Sequence, residues 1–174
     1  MTWKGSLVRS QYRPRIYEIK GTLVSIQIRS LTPQDRPSWE ELYNAYLEFY
    51  ESQPIPTSTE ILWKRLIASD PEIQSIVAEV NGKLIGIAHF HFQLSSWTHS
   101  WNCYLEDLFV HQDYRGNGAA TLMINAVKSM ALKNKCSEMF WITRGSNSTA
   151  QNLYDKLATR TDFVRYEIML EELP

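Results

Sequence analysis

The most informative part of the chain reads Tyr104-Leu105-Glu106-Asp107-Leu108-Phe109-Val110, then His111-Gln112-Asp113-Tyr114, then Arg115-Gly116-Asn117-Gly118-Ala119-Ala120. Its first part predicts a strand, and its glycines predict a turn that opens a helix over residues 119–133. One side of that helix is apolar, with Leu122, Met123, Ala126, Val127 and Met130 at helical spacing. Its first turn therefore faces solvent or a ligand with backbone N–H groups that have no intrahelical partner.

The turn before this helix has the chemistry of a phosphate site. The free N–H groups and the positive end of the helix dipole favour an anion. Gly116 and Gly118 allow close approach of the backbone, and Arg115 adds a positive charge. A plain strand-to-helix turn also uses glycines and stays an alternative. Two common phosphate-binding motifs are not matched. A Walker A loop requires Gly-Lys-Ser/Thr, which this turn lacks, and a dinucleotide fingerprint requires a third glycine at the position of Thr121.

The flanking segments predict a single α/β (α+β) domain with a mixed sheet and helices on both faces. The pair Asn81-Gly82 is a strong hairpin signal between two of its strands. A first helix starts at Thr32-Pro33 and carries aromatic and leucine residues as far as Tyr50, and Thr59 caps a short second helix. Further helices are predicted over residues 119–133 and 148–157, and strands over residues 25–30, 75–80, 83–94, 101–110, 138–143 and 163–170.

Composition limits the function classes. The chain has 174 residues and a net charge of −1, which suits one domain with no general attraction to nucleic acid or membrane. Residues 1–24 form a basic extension, with a targeting or nucleic-acid-binding arm as alternatives, and residues 25–174 form the domain. Cys103 and Cys136 lack metal-ligand spacing, and His89 and His91 lack a third ligand, so no metal is expected. Residues 1–24 contain no apolar stretch typical of a signal peptide. Two cysteines without a pairing pattern fit a reducing environment, so a cytoplasmic location is expected.

Two motifs resemble the GNAT superfamily of N-acetyltransferases. Residues 115–120 match its Arg/Gln-x-x-Gly-x-Gly/Ala signature, and residues 147–154, Asn-Ser-Thr-Ala-Gln-Asn-Leu-Tyr, match its second signature, Asn-x-x-Ala-x-x-Leu/Phe-Tyr. The resemblance covers about Ser25 to Leu170. Around residues 104–116 it is strongest to spermidine/spermine (diamine) acetyltransferases, which lack the alanine of the second signature, whereas residues 161–166 resemble a broader set of microbial relatives. The acceptor is therefore left open.

The resemblance implies a mostly antiparallel sheet that splays open at the cofactor, acetyl-CoA as co-substrate and a small-molecule amine as acceptor. A homodimer is also expected. The implied cofactor contacts are the backbone of Leu108, Phe109 and Val110 for the pantetheine arm, the turn residues Arg115, Gly116, Asn117, Gly118, Ala119 and Ala120 for the pyrophosphate, and Asn147.

The chemistry of acetyl transfer suggests two catalytic residues. An alkyl amine has a pKa of about 10.4, so it must lose a proton before it attacks, at a cost of about 4–5 kcal/mol near pH 7. Glu106, beside the splay, is the predicted base, with a solvated strand carboxylate as the alternative. Tyr154 is implied to lie near the thioester sulfur and can protonate the leaving thiolate, with a core tyrosine as the alternative.

Four further residues are expected to contact the acceptor. Asp107 points away from Glu106 in an ideal strand, but a β-bulge would turn it toward the site. Glu48 and Glu51, late in the first helix, are expected to recognise a cation, and Trp97 to line the amine pocket. Solvated or packing roles remain alternatives for these residues. The rival functions are acetylation of a peptide or protein amine, a CoA-binding regulatory domain without activity, and a nucleotide-dependent oxidoreductase.

Overall fold

The computed structural model describes residues 16–19, 22–68, 72–168 and 170. The chain divides between Ile142 and Thr143 into two compact units. No helix in the described ranges combines the length and the apolar content that crossing a membrane requires.

The first unit is built on a five-stranded sheet. A separate antiparallel pair, β1 (Ile16–Ile19) and β2 (Thr22–Ser25), precedes it. The sheet has the order β3-β4-β5-β6-β7, with neighbours antiparallel except β6 and β7, which run parallel. Its strands are β3 (Gln27–Ser30), β4 (Gln74–Val80), β5 (Lys83–Leu94), β6 (Trp101–Val110) and β7 (Cys136–Phe140). This is the predicted mixed, mostly antiparallel sheet.

Helices cover both faces of the sheet, as predicted. A 3-10 turn at Pro33–Asp35 leads into α1 (Arg36–Phe49), which is followed by α2 (Pro56–Leu66) and, after β6, by α3 (Ala119–Lys133); α4 (Ser148–Tyr154) belongs to the second unit. Buried Trp39 of α1 hydrogen-bonds to His89 of β5. Gly86, on the opposite face of the same strand, approaches Met123 of α3.

A partly buried charge network fixes the start of α1. Arg29 of β3 pairs with Asp35 at 2.7 Å and with Glu79 of β4 at 2.7 Å. The Asp35 carboxylate also accepts hydrogen bonds at 2.8 Å from the backbone N–H and the hydroxyl of Thr32. The predicted helix start is confirmed, and the arginine ties it to two strands of the sheet.

The strand predicted over residues 163–170 is wrong. Residues 163–168 and 170 belong to no strand, and Phe163, Val164, Tyr166, Ile168 and Leu170 are all exposed. A strand requires a hydrogen-bonded neighbour, and within the described parts of the chain this alternating segment has none.

Several boundaries also differ from the predictions, among them the end of the last helix, which is Tyr154 instead of residue 157. The second helix begins at Pro56, whose fixed φ suits the first helical position, and Thr59 lies buried inside it instead of capping it. Strand β7 lies at Cys136–Phe140 instead of residues 138–143, because its pairing with β6 begins at Cys136. The strand predicted over residues 25–30 is divided between β2, which ends at Ser25, and β3.

The basic extension falls largely outside the described residues. Of residues 1–24, only β1 and residues 22–24 of β2 are described, and their backbone forms a hairpin. The division into a 1–24 extension and a 25–174 domain stays a prediction.

Gly86 provides a test of the packing between sheet and helix. A Cβ at this position would lie 2.8 Å from the carbonyl oxygen of Phe109 and 3.0 Å from Met123 Cε. We expect Gly86→Ala to lower the free energy of unfolding by about 1–3 kcal/mol, measured by urea denaturation. Gly145→Ala is the control, because a Cβ there meets nothing within 4 Å. Equal stabilities of the two variants would show that the approach at Gly86 is not tight.

Candidate active site

The sheet opens along the second half of β6. The pairing of β6 with β7 runs from Trp101 to Tyr104, whose partner is Phe140, although β6 continues to Val110. Residues 105–110 keep β5 as a neighbour on the other side. The described part of β7 therefore leaves an open edge of β6 along the residues predicted to hold the pantetheine arm, Leu108, Phe109 and Val110.

The turn after β6 is shaped by two glycines in the left-handed conformation. Gly116 and Gly118 both have φ of 80°, which residues with a Cβ rarely adopt. Gly118 is the N-cap of α3 and offers no side chain to the N–H groups of the first turn, where Ala119 and Ala120 lie. Asn117 braces the turn by donating to the carbonyl oxygens of Tyr114 and Arg115 at 3.2 and 3.0 Å. The result is a helix N-terminus suited to bind an anion.

Arg115 has a structural contact in addition to its predicted role. Its Nε–H donates to the carbonyl oxygen of Val110 at 2.9 Å. Its guanidinium lies 5.5 Å from the ring centroids of both Phe49 and Phe109. This cation–π contact holds the positive charge between the end of α1 and the end of β6.

A β-bulge in β6 determines where the two predicted carboxylates point. Asp107 pairs with His89 of β5, but the next pair joins Leu105 to Phe90, so Glu106 is the extra residue. The Asp107 carboxylate lies 2.8 Å from His89 Nδ1, and the Glu106 carboxylate lies 3.6 Å from His91 Nδ1. Since His89 and His91 share one face of β5, the bulge brings both carboxylates to that face, which α1 covers.

Asp107 lies in a chain of hydrogen bonds that is buried at Trp39 and His89. The indole Nε1 of Trp39 donates to His89 Nε2 at 3.0 Å, and His89 Nδ1 lies 2.8 Å from Asp107 Oδ2. The hydroxyl of Tyr46 donates to the other carboxylate oxygen, Oδ1. Trp39 and His89 have no exposed surface.

The pKa values of two tyrosines of α1 are raised by burial and by the charges of this pair of acids. Burial raises the pKa of Tyr46, and the Asp107 charge and hydrogen bond raise it further. Burial likewise raises the pKa of Tyr43, and the charges of Asp107 and Glu106 add to the shift. Both phenols therefore stay protonated at neutral pH, and Tyr46 is the donor to Asp107.

Four residues of this face were not among the predicted site residues: Trp39, Tyr43, Tyr46 and His89. The helical spacing of Trp39, Tyr43, Tyr46 and Tyr50 was visible, but the same spacing is typical of simple packing. In the structure these rings contact in succession, with centroids 5.1, 6.1 and 5.0 Å apart. An aromatic stripe facing two neighbouring acids was the signal that could have identified them.

Of the other predicted acceptor contacts, Glu48 lies on a different side of α1 from Tyr46. Glu48 is two residues after Tyr46, so at about 100° per residue it lies on the opposite side of α1. It lines an open cleft on the outer side of the helix with Glu41, Asn44, Ala45, Glu51, Ser52, Gln53 and Pro54. Trp97 is 84% exposed in the loop between β5 and β6. The structure does not bring Glu48 to the face where Asp107 lies, and the roles of Glu51 and Trp97 stay predictions.

The second unit carries Asn147 and Tyr154 at the two ends of α4. The Asn147 side chain is the cap of that helix, accepting from Ala150 N–H at 3.3 Å and donating to Thr143 Oγ1 at 3.2 Å. Tyr154 is the last residue of α4 and is partly buried. Their roles at the cofactor rest on the second signature and stay predictions.

The structure gives the two site histidines partners other than a metal. His89 contacts Trp39 and Asp107, and His91 contacts Glu106. The described residues contain no group of three His, Cys, Asp or Glu side chains placed to hold a metal ion.

Comparisons with known proteins agree with this geometry. Residues 39–158 match the model of the acetyltransferase (GNAT) family. The chain is 29% identical over 144 residues to the D-amino-acid N-acetyltransferase of Saccharomyces cerevisiae, covering 82% of this chain and 89% of that protein. It is 30% identical over 147 residues to the thialysine N-epsilon-acetyltransferase of Mus musculus, covering 79% and 86%.

Solved structures have the same fold. The aminoglycoside N-acetyltransferase AAC(6')-Iy in complex with CoA superposes with a TM-score of 0.72 at 21% identity, covering 84% of this chain and 95% of that one. The open β6 edge and the glycine turn before α3 thus belong to a fold that an acetyltransferase uses. The chain belongs to the acetyltransferase (GNAT) family and is an N-acetyltransferase.

Proposed function

We propose that this enzyme transfers the acetyl group of acetyl-CoA directly to a primary amine of a small, cationic molecule. The observation that carries the proposal is the adjacent pair of carboxylates, Glu106 and Asp107, on one face of the sheet. Their hydrogen-bond and ion-pair partners among the described residues are His91, His89 and Tyr46, with no lysine or arginine.

An acid pair that has no lysine or arginine partner in the described part of the chain favours a cationic ligand. Two neighbouring negative charges repel each other, and a positive charge between or beside them relieves that repulsion. Arg36 lies near, with its guanidinium 5.4 Å from the Trp39 ring centroid, but it is paired with Glu40 and Glu60 at 3.2 Å each. An alkylammonium substrate supplies the missing charge.

Glu106 is the group proposed to receive the amine proton. Its side chain is 44% exposed, so a substrate or a bridging water can reach it, whereas the Asp107 side chain is 14% exposed and already hydrogen-bonded on both oxygens. In this assignment Asp107 attracts the ammonium and Glu106 accepts its proton.

Enzymes of the family take the acetyl group from acetyl-CoA. In the proposed complex the open edge of β6 at Leu108, Phe109 and Val110 binds the pantetheine arm. The turn from Arg115 to Ala120 binds the pyrophosphate through backbone N–H groups and the dipole of α3. Asn147 is proposed to contact the cofactor, and Tyr154 is proposed to protonate the leaving thiolate.

The cysteines support direct transfer without an acyl-cysteine intermediate. Burial, with a smaller contribution from Cys136, raises the pKa of the Cys103 thiol to about 12, and burial also raises the pKa of Cys136. Since the thiolate is the nucleophilic form, neither thiol is poised to attack a thioester near neutral pH.

The names of the two relatives suggest thialysine and D-amino acids as amines to test first, and the resemblance of residues 104–116 to diamine acetyltransferases adds polyamines. Thialysine, D-amino acids and polyamines are small molecules with a primary amine, and thialysine and polyamines carry more than one ammonium. A polyamine stays one possible acceptor among these. The cytoplasmic location and the homodimer also stay predictions.

Replacing the proposed base tests the assignment. We expect the wild-type enzyme to acetylate at least one of thialysine, spermidine and a D-amino acid, measured as acetyl-CoA consumption. Glu106→Gln removes the proton acceptor and should lower kcat/KM by about 10²–10⁴-fold near pH 7, with partial recovery as pH rises and free amine becomes abundant. Glu138→Gln, in exposed Glu138 of β7, is the control and should change little. If the pH profile of Glu106→Gln is unchanged, Glu106 does not accept the amine proton and only binds the acceptor.

The glycine turn can be tested by affinity alone. Gly118→Asp places a Cβ and a carboxylate where the pyrophosphate is proposed to lie, so acetyl-CoA affinity measured by calorimetry should fall by at least about 10-fold. Gly82→Asp is the matched control, because Gly82 has φ of 79° in the β4–β5 turn and a Cβ there meets nothing within 4 Å. Equal affinities in the two variants would remove the turn from the cofactor site.

Tyr154→Phe tests the proposed proton donor. The substitution keeps the ring and deletes the hydroxyl, so kcat should fall by about 10²–10⁴-fold while the acetyl-CoA Kd changes little. Tyr166→Phe, at an exposed tyrosine of the same unit, is the control. Near-normal kcat with chemistry rate-limiting would exclude Tyr154 as the acid.

A further inference from the structure

The partners of His89 determine where its proton sits. The indole N–H of Trp39 can only donate, so His89 Nε2, 3.0 Å away, must accept with its lone pair. An imidazolium has no lone pair, so the ring is neutral and carries its single proton on Nδ1. That Nδ1–H donates to Asp107 Oδ2 at 2.8 Å.

This arrangement holds Asp107 without cancelling its charge. Its two donors, His89 Nδ1–H and the Tyr46 hydroxyl, are both neutral and occupy different carboxylate oxygens. A lysine or arginine in place of His89 would also hold the carboxylate, but it would neutralise its field.

Among the described residues, neither lysine nor arginine contacts the His89 ring or Asp107. From α1 the ring meets the phenols Tyr43, at 5.8 Å between ring centroids, and Tyr46 through Asp107; from β6 it faces Asp107 and its neighbour Glu106. His91 follows on its own strand and contacts Glu106. The nearby cation, Arg36, lies beyond Trp39 and is paired with Glu40 and Glu60.

We propose that His89 is a positioning residue for the amine acceptor: fixed by Trp39 as the neutral Nδ1–H tautomer, it orients Asp107 while leaving that carboxylate's negative charge available to an ammonium. The inference rests on the proposed function, because it assigns the role of Asp107 within the acceptor site. Trp39 contributes to this positioning, because its indole N–H donates to His89 Nε2 and so keeps the proton of the ring on Nδ1.

The tautomer can be measured without an activity assay. In ¹⁵N-histidine-labelled protein at pH 8, we expect the His89 ring to give the ¹⁵N shifts of the Nδ1–H tautomer. Trp39→Phe removes the donor and should increase the Nε2–H form. Trp63→Phe is the matched control, because Trp63 packs against Trp39 at 5.1 Å between ring centroids in the same core cluster. An Nε2–H tautomer in the wild-type protein, or equal spectra for the two variants, would overturn the proposal.

Kinetics test the positioning role. We expect His89→Leu to raise the KM for thialysine or spermidine by about 10-fold, with a smaller change in kcat and an unchanged acetyl-CoA Kd. His89→Asn should recover part of this loss, because its amide can donate from nearly the place of Nδ1. An unchanged acceptor KM in a folded His89→Leu protein that binds acetyl-CoA normally would overturn the role of His89.

The two proposals fail in different ways. If the wild-type enzyme acetylates none of the amines tested, the proposed acceptor class fails, and the role of His89 in binding the acceptor fails with it. If the wild-type enzyme is active and the tautomer or the acceptor KM contradicts the expectation, the inference about His89 fails alone and the proposed function stands.

Discussion

The candidate active site depends on one irregularity, the β-bulge that leaves Glu106 without a partner on β5. In a regular strand, neighbouring residues point to opposite faces, so Glu106 and Asp107 would be separated by the sheet. The extra residue turns both carboxylates toward α1, where Asp107 meets His89 and Tyr46 and Glu106 meets His91. The adjacent acids, the raised pKa values of the tyrosines and the proposed attraction for a cation all follow from this local shift.

Acidic residues lie on both sides of α1, but their environments differ. The inner side carries Trp39, Tyr43 and Tyr46 toward the sheet, and these neutral groups hold or surround Asp107. The outer side carries Glu41 and Glu48 into an open cleft. Acids that look equivalent in sequence therefore differ in surroundings, and Asp107 is the one held by two neutral donors, the buried His89 and the partly buried Tyr46.

Sequence patterns located the main elements because local signals define them. Strands β5 and β6 and helix α3 have the predicted bounds, since Asn81-Gly82 marks a hairpin turn and Gly118 marks a helix start. The bulge was only a possibility in sequence, because it depends on how β5 and β6 pair. The strand predicted over residues 163–170 failed for a related reason: alternation describes a strand's faces but not whether a neighbour is present. The partners of His89 were likewise not visible, since they come from distant parts of the chain.

The contacts of the proposed cofactor turn join residues that are close in sequence, whereas the contacts around Asp107 join residues that are far apart. The proposed cofactor turn is local, with Arg115 bonded to Val110 only five residues earlier. The chain from Trp39 through His89 and Asp107 to Tyr46 instead joins residues 50, 18 and 61 positions apart. Closing such long loops costs entropy that is repaid only when the sheet and α1 have docked. The cofactor turn can therefore form early in folding, whereas the acid pair acquires its geometry only when the first unit is complete.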